Sequence, residues 1–228
     1  MELSEALHKR KSIRGYLHKP VPRNLIEDIL KNAVRAPSAN NTQPWEFFVV
    51  AGAVLVEAGK QNVLRLRAQE MPAPEHPWFG WPKESVFRQR QVDLAKQLFS
   101  LMGIERENKQ KRDAWMELGF RYFDAPAAIF ILADKSLSEA GALMDIGAVM
   151  QNICLLAAEK GLGTCIEDQG VMYPQVLRQV ADFPQDRNIL IAIAIGWPDP
   201  AFPANAVQTD RVPPDRITTW IGFEEQAQ

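Results

Sequence analysis

Apolar and polar positions follow two distinct periods along the chain. Leu25, Ile26, Ile29, Leu30, Ala33 and Val34 recur at helical spacing and predict an amphipathic helix that begins at Pro22 or the residue after it. Phe47 to Val50 is a short β-prone apolar run and reads as a buried strand. A longer run, Ala127 to Ala133, is apolar without interruption, as in a central strand covered on both faces. Thr164-Cys165-Ile166 and Ile189 to Gly196 supply a short and a long further strand. Helical composition returns at 53–69 and at Tyr173–Val180, and residues 1–9 form a short helix with Ser4 as its N-cap. In the charged stretch 83–123, Phe87, Leu94, Leu98 and Leu101 trace one helical face and Trp115, Leu118, Gly119 and Tyr122 another. The charges there read as a solvated face.

The segment Ser138–Glu159 is apolar nearly all round. It approaches membrane-span length, but Asp145 and Gln151-Asn152 interrupt it and Gly141 and Gly147 thin it. A helix apolar on every face is buried on every face, which predicts a core helix shared with a second subunit, with Val149 and Ile153 at that interface. Gly161-Leu162-Gly163 ends it. The stretch from Trp197 to Phe223 has no helical period but carries Trp197, Phe202, Trp220 and Phe223, too apolar for a disordered tail, and is expected to wrap another surface.

Composition narrows the classes. With 228 residues, 46% of them hydrophobic and 24% charged, the chain is an ordinary globular protein, and it is read as one domain over 1–228 with a helical excursion at about 65–123 and an extended tail at about 197–228. A formal net charge of −2 gives no electrostatic reason to expect nucleic acid or a membrane surface as partner. Cys154 and Cys165 read as core residues in a reducing compartment. The first residues carry neither a basic nor an apolar signal region, so a cytoplasmic location is expected.

Candidate chemistry emerges by elimination. His8, His18 and His76 lack ligand spacing, so no metal site is expected. A nucleophile elbow, a cysteine–histidine pair and a Walker loop are all missing, and Gly161-x-Gly163 follows a helix instead of a strand. What remains is Arg10, Lys11, Ser12 and Arg14, whose cations and hydroxyl suit phosphate oxygens, although a solvated basic turn has the same composition. The loop Ala36 to Trp45, polar between Pro37 and Pro44, suits a ligand-facing loop with Asn40-Asn41 at positive φ, or a plain surface connection. Residues 71–82, with four prolines and three large aromatics, form either a lid over a pocket or packing between subunits. Phosphate-binding cations without an acid, base or nucleophile of the protein's own fit an enzyme whose cofactor carries the reaction.

Four motifs in order, Arg10-Lys11-Ser12-Ile13-Arg14, Ala36-Pro37-Ser38 through Gln43-Pro44-Trp45, Gly161-Leu162-Gly163-Thr164-Cys165 and Ala194-Ile195-Gly196-Trp197-Pro198, resemble those of the flavin-dependent nitroreductase family over nearly the whole chain. The resemblance implies an α+β fold with a central, mostly antiparallel sheet wrapped by helices, and an intertwined homodimer with two FMN sites. It implies FMN contacts from Arg10, Lys11, Ser12 and Arg14, from Pro37, Ser38, Ala39 and Asn40 of the partner subunit, from Glu167, Asp168, Gln169 and Gly170, and from Arg211. Arg10 and Arg211 are expected at the phosphate, Arg14 toward the pyrimidine edge, and the 167–170 backbone at N5. Where some members carry a lysine, this chain has Thr209, which puts the build of the phosphate clamp in question. The implied activity is ping-pong reduction of a nitroaromatic or quinone-like acceptor with NADPH or NADH, the acceptor stacking near Trp78, Phe79 and Trp81. Relatives on the scaffold also include reductive dehalogenases and a flavin-fragmenting enzyme, so the motifs leave the acceptor open. A non-catalytic flavin-binding protein is the other class.

Overall fold

The computed structural model describes residues 1–76, 80–137 and 139–223. Its helices are α1 (Leu3–Lys9), α2 (Arg23–Ala33), α3 (Gly52–Arg67), α4 (Val86–Leu101), α5 (Lys109–Phe120), α6 (Glu139–Glu159) and α7 (Pro174–Ala181). The strands are β1 (Glu46–Ala51), β2 (Ala127–Asp134), β3 (Gly163–Glu167) and β4 (Arg187–Gly196). They form one sheet in the order β1-β2-β4-β3, with every neighbouring pair antiparallel. The α+β class and the antiparallel sheet are as expected.

The uninterrupted apolar run of β2 has its reason in two covered faces. Ala127, Ile129, Ile131 and Ala133 meet a cluster built from Ile26 and Ile29 of α2 and from Ile146, Val149 and Ile153 of α6. Ala128, Phe130 and Leu132 point the other way, into a cluster with Leu55, Ala58 and Val63 of α3 and Val176 and Leu177 of α7. Successive side chains of a strand alternate sides, so a strand sandwiched between helices is apolar at every position.

Expectations for α1 and α6 change. Ser4 lies inside α1 and is not its N-cap; Glu2 occupies that position without a side-chain cap bond. Val149 and Ile153 are wholly buried within one chain, because they seal the inner face of α6 against the sheet, so neither is an outer interface position. The outward side of α6 carries Met144, 80% exposed. By length and composition alone the stretch Gly141–Glu159 could cross a membrane, with a mean hydropathy of 1.5. Its inner face instead forms half of the core.

Tyr122 does not continue the face of α5. It starts a left-handed turn in which Tyr122, Phe123 and Asp124 have φ of 58°, 52° and 52°. Non-glycine residues hold that conformation only where the surroundings impose it. Here the ring of Tyr122 is completely buried, its hydroxyl donates to the Gly170 carbonyl at 3.0 Å, and Asn62 Nδ2 donates to that hydroxyl at 3.1 Å.

Residues 71–76 are tied to the body. Ala73 N–H donates to the Met172 carbonyl, and the Glu75 carboxylate accepts from Arg178 and from the Ile189 N–H at 2.9–3.0 Å. Trp78 and Phe79 lie outside the described residues; Trp81 packs against Phe87 with ring centres 5.8 Å apart.

Candidate active site

Two segments almost two hundred positions apart meet in one cleft. Arg10, Lys11, Ser12 and Arg14 form one wall, and Gln208 to Val212, including Arg211, form another. The cleft has a volume of about 1130 Å³. Bonds to distant parts of the chain hold the first wall in place. Ser12 bridges to Thr164 of β3 in parallel fashion, and Ile13 N–H donates to the Thr164 carbonyl at 2.9 Å. Asn205, buried, ties this segment to the tail. Its Oδ1 accepts from Arg14 N–H at 2.7 Å, its Nδ2 donates to the Gly15 and Asp199 carbonyls, and its own carbonyl accepts from the Lys11 ammonium. Nothing in the local sequence marks Asn205, because its partners Lys11, Arg14 and Gly15 lie 190 to 194 residues away.

A third wall is α4. Arg90, Asp93, Leu94 and Gln97, at spacing i, i+3, i+4 and i+7, share one side of that helix and line the cleft. Leu94 and Leu98 pack with Phe202, Ala204 and Val207 and so fix α4 beside the tail. Part of the face read as merely solvated therefore borders the site. The walls carry the cations Lys9, Arg10, Lys11, Arg14, Arg90 and Arg211 against the carboxylates Asp93 and Asp210. Such an excess of positive charge attracts an anion. Thr209 acts on Arg211 directly: the Arg211 guanidinium donates to the Thr209 hydroxyl at 3.0 Å and to the Thr209 carbonyl at 3.2 Å.

Glu167 to Gly170 leave the end of β3 beyond this cleft. Glu167 is buried, and neither of its carboxylate oxygens has a hydrogen-bond partner among the described residues. Burial pushes its pKa well above the usual carboxylate range, with the Arg14 charge acting against that shift. Burial also raises Asp168, opposed by His76, whose Nε2 is 3.5 Å away. The Gln169 side chain lies across Gly119, where any Cβ would collide with it, and a Cβ on Gly170 would run into the ring of Tyr122. Gly119, Tyr122 and Asn62 thus shape this strip of backbone, and nothing in their local sequence marks them for it.

None of Pro37, Ser38, Ala39 and Asn40 lines that cleft. Pro37, Ala39 and Asn40 are exposed and Ser38 is half-buried. Asn40 and Asn41 take φ of 50° and 60°, the positive values expected of them, and Gln43 adds a third at 48°. Ala39 N–H donates to the Asp145 carboxylate of α6 at 3.1 Å.

Comparison with known proteins decides the family. The model of the nitroreductase family matches residues 7–197. The chain belongs to the nitroreductase family. Within it, the chain is 30% identical to a nitrobenzene nitroreductase of Ectopseudomonas oleovorans, over 96% of each chain. Identity to a chloronitrobenzene nitroreductase of Comamonas testosteroni is also 30%, again over 96% of each. Among solved nitroreductase structures, that of an FMN- and NADPH-dependent enzyme from Sphigopyxis sp. strain HMH superposes with a TM-score of 0.90 at 29% identity, covering 98% of this chain and 100% of the other.

Proposed function

We propose that this nitroreductase binds FMN and uses NADPH or NADH to reduce nitroaromatic or quinone-like acceptors. The observation that carries the reading is the cationic cleft, which unites Arg10, Lys11, Ser12 and Arg14 with Arg211 across the length of the fold. Its donor set fits the terminal phosphate of FMN, since guanidinium and ammonium groups make charge-assisted bonds to phosphate oxygens. The named activities of the relatives agree with this reading.

In this reading Arg10 and Arg211 hold the phosphate, and Lys11, anchored on Asn205, adds charge beside it. Arg14 serves the pyrimidine end of the ring, where a positive charge favours the reduced, anionic form. The backbone of Glu167 to Gly170 lies against the central part of the ring. Pro37, Ser38, Ala39 and Asn40 reach the site of the other subunit in a homodimer. Two features support that dimer: the outward side of α6 exposes Met144, and the tail exposes Ile217, Trp220, Ile221 and Phe223, more large apolar surface than an isolated chain leaves to water. When bound, FMN supplies the exchange of two electrons between nicotinamide donor and acceptor; the protein's part is to bind, orient and tune.

The test is turnover. Purified protein reconstituted with FMN should oxidise NADPH or NADH only when nitrobenzene or a quinone is present as acceptor, and reduced product should accumulate. Unchanged acceptor after full reconstitution would contradict the reading.

A further inference from the structure

Asp145 and Asn152 are polar interruptions of α6, seven residues and hence two turns apart, so they lie on the same side of the helix. Both bind backbone groups of one connection. Asn152 Nδ2 donates to the carbonyl of Ala33, the last residue of α2, at 3.1 Å, and the Asp145 carboxylate accepts from Ala39 N–H at 3.1 Å. Directly after the second of these points the chain enters the stretch where Asn40, Asn41 and Gln43 stand in left-handed conformations. Asparagine tolerates that conformation for local reasons, whereas Gln43 persists in it only where the surroundings impose it.

The internal bonds of the loop, Gln43 N–H to Ser38 Oγ, Asn41 N–H to the Ser38 carbonyl and Thr42 N–H to the Ala39 carbonyl, close it on itself without fixing it to the body. Apolar burial does not fix it either, since residues 39–43 are exposed. Among the described residues, Asp145 is the one side chain outside the loop that bonds to the backbone of residues 37–43. Its neighbours on α6, Ala142, Ile146 and Val149, are buried apolar groups, and alanine is the better helix former at such a position. An aspartate there lowers helix propensity, and the bond it makes lies outside the helix.

We propose that Asp145 is a positioning residue: through the Ala39 N–H it holds the Pro37–Asn40 loop in the conformation in which that loop joins the cofactor site. The inference rests on the reading that this loop faces FMN. It gives α6 a second task besides packing the sheet, because the helix that seals the core also sets the place of the loop.

Hydrogen exchange and FMN titration on the full-length protein test it, with wild type, Asp145→Ala and Asp145→Asn side by side. In Asp145→Ala the amides of residues 38–43 should exchange faster and FMN should bind more weakly, each on the order of tenfold, the equivalent of one charge-assisted hydrogen bond. Asp145→Asn keeps an acceptor oxygen and should recover most of both. The thermal midpoint of Asp145→Ala should stay near that of wild type, which a purely structural role would not allow. Unchanged loop exchange in Asp145→Ala overturns the proposal whatever FMN does. Faster exchange with unaltered FMN affinity overturns the positioning role and removes the loop from the cofactor site. Failure of wild type itself to bind FMN is seen first and counts against the cofactor reading alone. If Asp145→Ala does not fold, Asn152→Ala frees the other end of the connection and carries the same readouts.

Discussion

Glu167 is a carboxylic acid shut off from water with both oxygens unsatisfied by the described residues, beside a segment whose backbone is assigned to the cofactor. Its pKa is raised by burial, with the Arg14 charge as the opposing influence and Asp168 adding to the shift. The consequence for stability has a definite sign. Below the ordinary glutamate range, about 4.3, both folded and unfolded chains carry the proton, and the group is neutral to folding. Above it the unfolded chain releases the proton while the folded chain keeps it, so stability falls with rising pH up to the raised folded value. Glu167→Gln abolishes this term. In the flavin-free protein it should raise the thermal midpoint at pH 7–8 and lose that advantage as pH approaches 4; each 1 kcal/mol corresponds to about 2–4 °C at this chain length. Equal midpoints across the range would mean that Glu167 is ionised in the folded protein.

At the scale of elements, legibility followed the range of the forces. The strands β2 and β4 and the helix α2 were readable, because burial writes a period into contiguous residues. Positive φ at Asn40 and Asn41 was readable as well, since asparagine tolerates that region for local reasons. The turn at Tyr122–Asp124 was not. Neither Tyr122 nor Phe123 favours a left-handed backbone, and the enforcement comes from Gly170 and Asn62, 48 and 60 positions away. The same holds for Asn205 in the site and for the α4 wall: the apolar face of Phe87, Leu94, Leu98 and Leu101 is legible, but not that the charged Arg90 and Asp93 border a cleft. Tyr122→Phe tests the turn. It removes the hydroxyl, leaves the Gly170 carbonyl without that donor, and should cost about 1–3 kcal/mol in chemical denaturation. Stability equal to wild type would show that packing of the ring alone holds the turn.

The whole molecule gives the site its form. Segments from the start of the chain, from α4 and from the tail converge only because the sheet carries β3 past Ser12, Asn205 bridges the first segment to the tail, and Leu94 and Leu98 seat α4 beside it. The fold thereby gathers cations that are dispersed in sequence, while the net charge of the chain stays at −2. The α6 face and the tail residues left apolar at the surface belong to the proposed contact with a second copy, which brings the Pro37–Asn40 loop to the cofactor. The central claim is that this cleft exists to hold the phosphate of FMN. Calorimetric titration of flavin-free protein with FMN and with riboflavin, which differ by that phosphate, tests it most directly. We predict one FMN per chain and riboflavin binding weaker by about a hundredfold or more, as expected for the loss of two charge-assisted contacts. Equal affinity for the two flavins, or no binding of FMN, would contradict the account.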